Sequence, residues 1–428
     1  TWKLRGGDVR IRKRNLRPAF VPQRRHLGTK PRRRSSTYDR SYSCSKPTIY
    51  AHAGPRQRGS GFFSCLKPQD DERRMSPRSC MILHEVLFGK SNPDQTLGAE
   101  WLDQRFKFQA PSGMASFGLL QYHRGPCGIL AAVQTALLTN LLCTRPSGAK
   151  AGAIFRTSKA DRKAALQTTI REIIERAGAS EVTYQYALGR IDGSGKGPGI
   201  FSTLDVWSLK RDCLPGFVAN NYQEIKNGGV TNLLISVLLT RGLHNFIDPL
   251  GKPFLERVGN IVCATPEAFC LVFLGELFGR TNDRDADSLG SVSTLYTAYT
   301  GPSVGAQANM NFRDRLRRHV NIHLTSSQTP VWILHTTGPT DRYTVVFGLA
   351  KGILSEDLQH FWIFSYDPMK RGLSSIASYH LESCIPEEAG TVVGGGEQEV
   401  EELISANWPD MRATRVADDC VLKYFGKD

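Results

Sequence analysis

No two cysteines among the ten in this 428-residue sequence are spaced as C-x-x-C, and no Cys/His group has the spacing of zinc ligands, so a structural metal is not expected. No cofactor is implied either. No uninterrupted apolar run approaches the roughly 18 residues of a membrane span, and no apolar core of a secretory signal is present. The glycine-rich piece GRIDGSGKGPG, residues 189–199, lacks the GK[ST] ending and the strand-helix context of a phosphate loop. Internal repeats are absent. These exclusions leave an intracellular protein, cytoplasmic or nuclear, in which reduced thiols are the default and one of them is free to act as a nucleophile.

The basic excess is confined to one region. Residues 1–80 hold 21 Lys and Arg against five acids, an excess of 16 that exceeds the whole-chain charge of +15 and leaves residues 81–428 close to neutral. The excess sits in IRKRNLRPAF, VPQRRHLGTKPRRRSS and DERRMSPRS, mixed with Ser, Gly and Pro and without a sustained apolar period, a composition that reads as a disordered tail. Such a tail is a solvated linker, or it touches a polyanion such as RNA weakly by charge alone. Its Arg- and Ser-rich, acid-poor start is also compatible with organellar targeting.

What is present is an ordinary globular complement: 40% apolar residues and a mean hydropathy of −0.30. MILHEVLFG, from Met81, is the first apolar segment and marks the expected start of a folded domain over residues 81–428. In GLLQYHRGPCGILAAVQTALLTNLL, Gly118 to Leu142, the apolar residues after Cys127 recur at three- and four-residue steps and predict a buried helix. Residues 144–148, TRPSG, end it. Further helices are expected over Ala160–Ala179, Val230–Arg241 and Pro266–Leu277, and strands over Glu181–Leu188, Val331–His335, Arg342–Ala350 and Phe361–Asp367. Residues 279–302 read as a polar surface insertion. Strands gathering after helices point to an α+β fold rather than a doubly wound sheet.

The residues with chemistry centre on Cys127. A helix amino terminus presents unpaired N–H groups and about half a positive charge, which stabilises a thiolate. Pro126 fixes the turn before the helix, and Gly125 and Gly128 let backbone and substrate approach the sulfur. Six residues earlier, Gln121 offers an amide able to donate to an oxyanion. Taken alone, this cysteine fits either a nucleophile or an inert packing thiol.

A glutamine followed by G-P-C-x-[IVL]-x-A-x-V-Q at a helix start, with P-[IV]-W-[IV] and a T-V-x-F strand far downstream, resembles the MINDY family of deubiquitinases. This sequence supplies GLLQYHRGPCGILAAVQTALLTNLL, GGVTNLLISVLLTRGLHNF, PFLERVGNIVCATPEAF, TPVWILHTTGPTDRYTVVF and ELISANWPDMRATR in that order. The resemblance implies a variant papain-like cysteine protease fold, with the helical part that carries the nucleophile packed on a small sheet. It also implies a thiol hydrolase of polyubiquitin chains and ubiquitinated proteins, favouring chains joined through lysine forty-eight of ubiquitin. Carried over, Cys127 is the nucleophile and Gln121 the oxyanion donor.

One position departs from the family. Where the family has a histidine before its T-V-x-F strand, this chain has Arg342, ahead of Tyr343 to Phe347. Arginine holds its proton above pH ~12 and cannot act as general base. His335, ending the preceding strand, is the nearest substitute, with His323, His360 and His380 as weaker ones and Asp367 as an acid able to orient a histidine. Three expectations follow: an active deubiquitinase with His335 recruited, a catalytically impaired relative that binds polyubiquitin, or a polyanion-binding protein working through its tail. Trp332 and Trp408 are expected as core or rim aromatics, Cys263 and Cys270 as core thiols, and Arg315–His319 as a solvated basic face.

Overall fold

The computed structural model describes residues 73–111, 114–143, 151–178, 183–246, 253–275, 320–326, 329–336, 342–349, 360–383, 392–393, 400, 403–404, 408 and 410–416. All of them fall within one compact unit, Ser64–Asp428. The basic tail up to residue 72, the polar segment 279–302 and the run 315–319 lie outside the described residues.

The helical part begins with α1 (Pro77–Phe88), capped by Ser76, whose hydroxyl accepts from the Ser79 amide, and started by a proline at its first position. The helix thus opens four residues before Met81. A short α2 (Ala99–Leu102) follows, then α3 (Cys127–Cys143), apolar nearly all round and buried accordingly. α4 (Lys159–Ala177) starts with a reciprocal capping box between Ser158 and Asp161 and buries one stripe, including Leu166, Ile170, Ile173 and Ile174. After β1 (Thr183–Leu188) and its antiparallel partner β2 (Asp205–Lys210) come α5 (Leu214–Asn220) and α6 (Tyr222–Arg241). α6 kinks at Gly229, whose φ of +59° brings it so close to the backbone of Gln104 that a side chain would collide there. A hairpin of β3 (Leu255–Val258) and β4 (Ile261–Ala264) leads into α7 (Pro266–Leu274).

The second part is one seven-stranded sheet. Its strands are β5 (Val320–Ser326), β6 (Thr329–Thr336), β7 (Arg342–Gly348), β8 (His360–Tyr366), β9 (Ile376–Ser383), β10 (Val392–Val393) and β11 (Met411–Val416), in the spatial order β10-β11-β9-β8-β7-β6-β5. Every pairing is antiparallel except β10 with β11. The mixture of helices with this sheet is α+β, as the segment pattern implies.

Side-chain alternation gives the sheet two apolar faces. Val331, Ile333, Val345, Phe347, Phe364 and Tyr366 join the large core with the helices. Trp332, Leu334, Val346, Phe361, Ile363 and Tyr379 form a second core with Val400, Leu403 and Ile404. Trp332 is fully buried there, with Trp408 packed edge-on at 5.5 Å, so both tryptophans serve packing. α3 packs against α4, α7, β6 and β7, which makes it the element joining helices to sheet.

Candidate functional site

The site forms where a strip of two stretches, residues 104–109 and 118–122, bridged antiparallel at Phe108 and Leu119, runs up to the start of α3. Gln104 is buried and works on both sides of Gln121: its Nε2 donates to the Leu120 carbonyl at 2.9 Å, and its Oε1 accepts from the Tyr122 amide at 3.0 Å. Leu120 N–H donates to the Lys107 carbonyl at 2.7 Å, and Gln121 N–H donates to the Pro368 carbonyl at 2.9 Å. The strip is therefore stitched to the turn after β8. Tyr366 adds a third tie, its hydroxyl donating to Leu119 O at 2.7 Å, while Gln134 of α3 accepts from Leu119 N at 2.6 Å. Burial pushes the Tyr366 phenol well above its ordinary range, with the Asp367 charge adding to it and Gln109 and Arg371 opposing, so it acts as a fixed donor.

Gln121 is buried, and its Nε2 donates to the His123 carbonyl at 2.8 Å. A carboxamide carries two N–H donors, so this bond fixes the amide and leaves its second donor for another acceptor. The chain then bends sharply through residues 123–126 into Cys127, the first residue of α3, and the Leu130 amide returns a bond to the Pro126 carbonyl at 2.9 Å. Cys127 is half-buried, with its Sγ 4.0 Å from the Gly125 carbonyl oxygen.

Two glycines make this approach possible for different reasons. Gly125 has φ +116°, and a Cβ there would stand 2.5 Å from the Val262 carbonyl oxygen. Its own carbonyl accepts from the Ala264 amide at 3.0 Å, so β4 anchors the bend from behind. Val262 is itself held by Glu100 Oε1 on its amide (3.0 Å) and Trp101 Nε1 on its carbonyl (2.7 Å). Gly128, one residue past the thiol, faces the Tyr343 ring, whose Cε2 and Cζ would stand 3.0 Å from an added Cβ. Tyr343 in turn packs on Phe269 of α7 at 4.9 Å between ring centroids. Strand β7 thus reaches α3 beside the cysteine.

Arg342 opens β7, paired across to Thr336. Its guanidinium lies 3.9 Å from Asp367 Oδ2, to which Lys370 Nζ also comes within 3.4 Å. Asp367 is mostly buried, with Oδ1 accepting from the Met369 amide at 3.0 Å. The acid expected to orient a base thus has cations for partners. His335 lies in β6 directly opposite Tyr343, the residue that touches Gly128; its side chain is outside the described residues. His323 pairs with Ile333 farther out, while His360 and His380 sit together on β8 and β9 with Trp362. Cys270 is buried and Cys263 half-buried. Among the described residues no three His, Cys, Asp or Glu side chains cluster to hold a metal, and no helix is long and apolar enough to cross a membrane.

Residues 84–411 match the family model described as deubiquitinating enzyme MINDY-3/4, conserved domain. The chain belongs to the MINDY-3/4 family of deubiquitinating enzymes. Among curated MINDY proteins it is 25% identical over 305 residues to the human probable ubiquitin carboxyl-terminal hydrolase MINDY-4, covering 68% of this chain and 39% of the relative. The Xenopus tropicalis protein of the same name is 26% identical over 287 residues (64% and 37%), and the mouse one 26% identical over 306 residues (68% and 40%). The chain thus spans about two fifths of the length of the MINDY-4 relatives it matches. No solved structure matches it. The MINDY match takes in both the Cys127 bend and the β7 strand that the fold brings to it.

Sequence reasoning passed over Gln104 and Tyr343, which position the strip and the helix start. A glutamine whose partners are backbone groups 16 and 18 residues away leaves no periodic signal. Gln134 stood inside the quoted motif, but its role on Leu119 needed the fold.

Proposed function

We propose that this chain carries a cysteine-type deubiquitinase domain of variant papain-like fold, acting on polyubiquitin joined through lysine forty-eight. Cys127 Sγ attacks the carbonyl of ubiquitin's terminal glycine, and the second Nε2–H of Gln121 donates to the carbonyl oxygen as negative charge develops on it. Collapse of the tetrahedral adduct expels the lysine amine, which needs a proton, and water then releases the acyl group from sulfur. His335 is assigned as the proton carrier because its backbone lies opposite Tyr343, the residue closing over Gly128 beside the thiol. The observation that carries the reading is the juxtaposition of a glycine-flanked cysteine at a helix start with a strand from the far end of the domain, in a chain of the MINDY-3/4 family.

One observation favours a second reading. Arg342 stands where the family's histidine is expected and is engaged with Asp367, an arrangement that holds charge but moves no proton. On that reading the domain binds polyubiquitin without cutting it. The test is incubation of the full chain, wild type, Cys127→Ala and His335→Ala, with lysine-forty-eight-linked tetra-ubiquitin, read on a gel beside a pull-down. Cleavage lost in both variants supports the hydrolase with His335 as base. Intact chains retained on the wild-type protein support the binding reading.

A further inference from the structure

The strip bearing Gln121 has a feature that catalysis does not use. Tyr122, half-buried and held through its amide by Gln104, has a cation over its ring from each neighbouring segment. Lys107 Nζ stands 5.9 Å from the ring centroid and Arg371 Cζ 5.3 Å. Both distances are within cation–π reach. Lys107 belongs to the stretch paired with Leu120, and Arg371 to the turn whose Pro368 carbonyl receives the Gln121 amide. The two segments that fix Gln121 through the backbone therefore also set two positive charges over the ring of the next residue.

Both side chains are exposed, and neither is paired with a carboxylate among the described residues. The one acid of this turn, Asp367, is engaged with Arg342 and Lys370. Tyr122 supplies a planar, electron-rich surface that keeps the two long side chains in place, which lowers the ordering cost of gripping an anion. A carboxylate arriving here meets two charges, the acid of the turn being already engaged by its own cations. The tyrosine face and the backbone on either side suit a peptide carrying that carboxylate.

We infer that Lys107, Tyr122 and Arg371 form a subsite for an acidic side chain of the peptide presented to Cys127. The substrate is then a segment with Asp or Glu a few residues from the bond that meets the thiol. The subsite rests on the deubiquitinase reading for its role in substrate choice, but its charge preference does not require turnover.

The experiment uses the full chain and two N-chloroacetylated peptides, Gly-Asp-Glu-Glu-Asp amide and Gly-Asn-Gln-Gln-Asn amide. The Cys127 thiolate displaces chloride from the chloroacetyl carbon, and mass spectrometry of the Cys127 peptide gives the labelling rate for each probe. Their ratio cancels the intrinsic reactivity of the thiol, which both share. A carboxylate about 8 Å from two unit charges in water is favoured roughly fivefold, so the acidic probe should label about fivefold faster at low salt and lose that advantage near 1 M salt. In Lys107→Ala/Arg371→Ala the ratio should fall to about 1, and in Lys107→Glu/Arg371→Glu below it. These exposed positions should leave the fold intact, which an unchanged Tm checks. A ratio near 1 in the wild type overturns the inference. So does a high ratio that survives the double substitution, since that assigns the preference to other cations such as the basic tail. Charge-dependent labelling with tetra-ubiquitin left uncut would keep the subsite and defeat the hydrolase reading, and cleavage with a flat ratio would do the reverse.

Discussion

Replacing Gly125 with alanine tests whether β4 holds the bend before Cys127 in place. The new Cβ would lie 2.5 Å from Val262 O and 3.0 Å from Glu100 Cγ, and the φ of +116° is one that alanine strongly disfavours. Backbone strain of this kind costs about 1–3 kcal/mol. Relief requires the bend to move from β4, which weakens the Ala264-to-Gly125 bond and disturbs the Val262 carbonyl that Trp101 binds, each worth about 1 kcal/mol. The sum is about 3–5 kcal/mol, and at about 2 °C per kcal/mol for a domain of this size the Tm should fall by about 6–10 °C. Differential scanning calorimetry of the full chain measures it, and iodoacetamide labelling of Cys127 in the folded protein reports whether the thiol has shifted. Gly128→Ala is the contrast: the helix gains about 1 kcal/mol of propensity from alanine, and the obstacle at 3.0 Å is the edge of the Tyr343 ring rather than backbone. It should cost less than half as much. A Gly125→Ala protein that melts within 1 °C of wild type (~0.5 kcal/mol) and labels at the same rate would refute the anchoring argument.

Gln104→Leu leaves the Leu120 carbonyl and the Tyr122 amide without their side-chain partner and should cost about 2–4 kcal/mol by denaturant titration, with slower Cys127 labelling as Gln121 loosens. Gln104→Glu, which keeps the acceptor for Tyr122, should cost less. Arg342→Ala should change stability by less than about 1 kcal/mol, because the pair is long, Arg342 is about two-fifths exposed and Lys370 remains on Asp367; a larger loss in urea titration would make the arginine structural. His84 is buried against the Gln95 carbonyl, and burial holds its imidazole below the ordinary range. The unfolded chain therefore takes up the proton first, so stability is full above pH ~6.5 and declines as pH falls through that value toward the depressed folded one. His84→Gln should flatten this acid-side decline of Tm between about pH 7 and 5, and an unchanged slope would assign it to other groups.

The elements that could be read from the sequence are those whose signal is local. α3 is apolar nearly all round, α4 carries its own capping box, and β6 to β8 are runs of β-branched and aromatic residues buried on both faces. Seven strands escaped, β2 to β5 and β9 to β11, and three of them put polar residues in or beside the apolar positions: Asp205 and Ser208 in β2, His380 and Glu382 in β9, Arg412 and Arg415 in β11. Partial cover on one face dilutes the alternation that marks a strand.

At the site the division is sharper. The sequence by itself determined that Cys127 begins a helix behind Gly-Pro, that Gln121 precedes it by a short bend, and that Arg342 stands before a T-V-x-F strand, because each is a matter of residue order. Only the tertiary structure decided that Tyr343 closes on Gly128, that Arg342 meets Asp367, that Gln104 clamps both sides of Gln121, and that Lys107 and Arg371 converge on Tyr122. These contacts join segments tens to hundreds of residues apart, and their physical cause is the burial of α3 between the helices and the sheet, which no local pattern encodes.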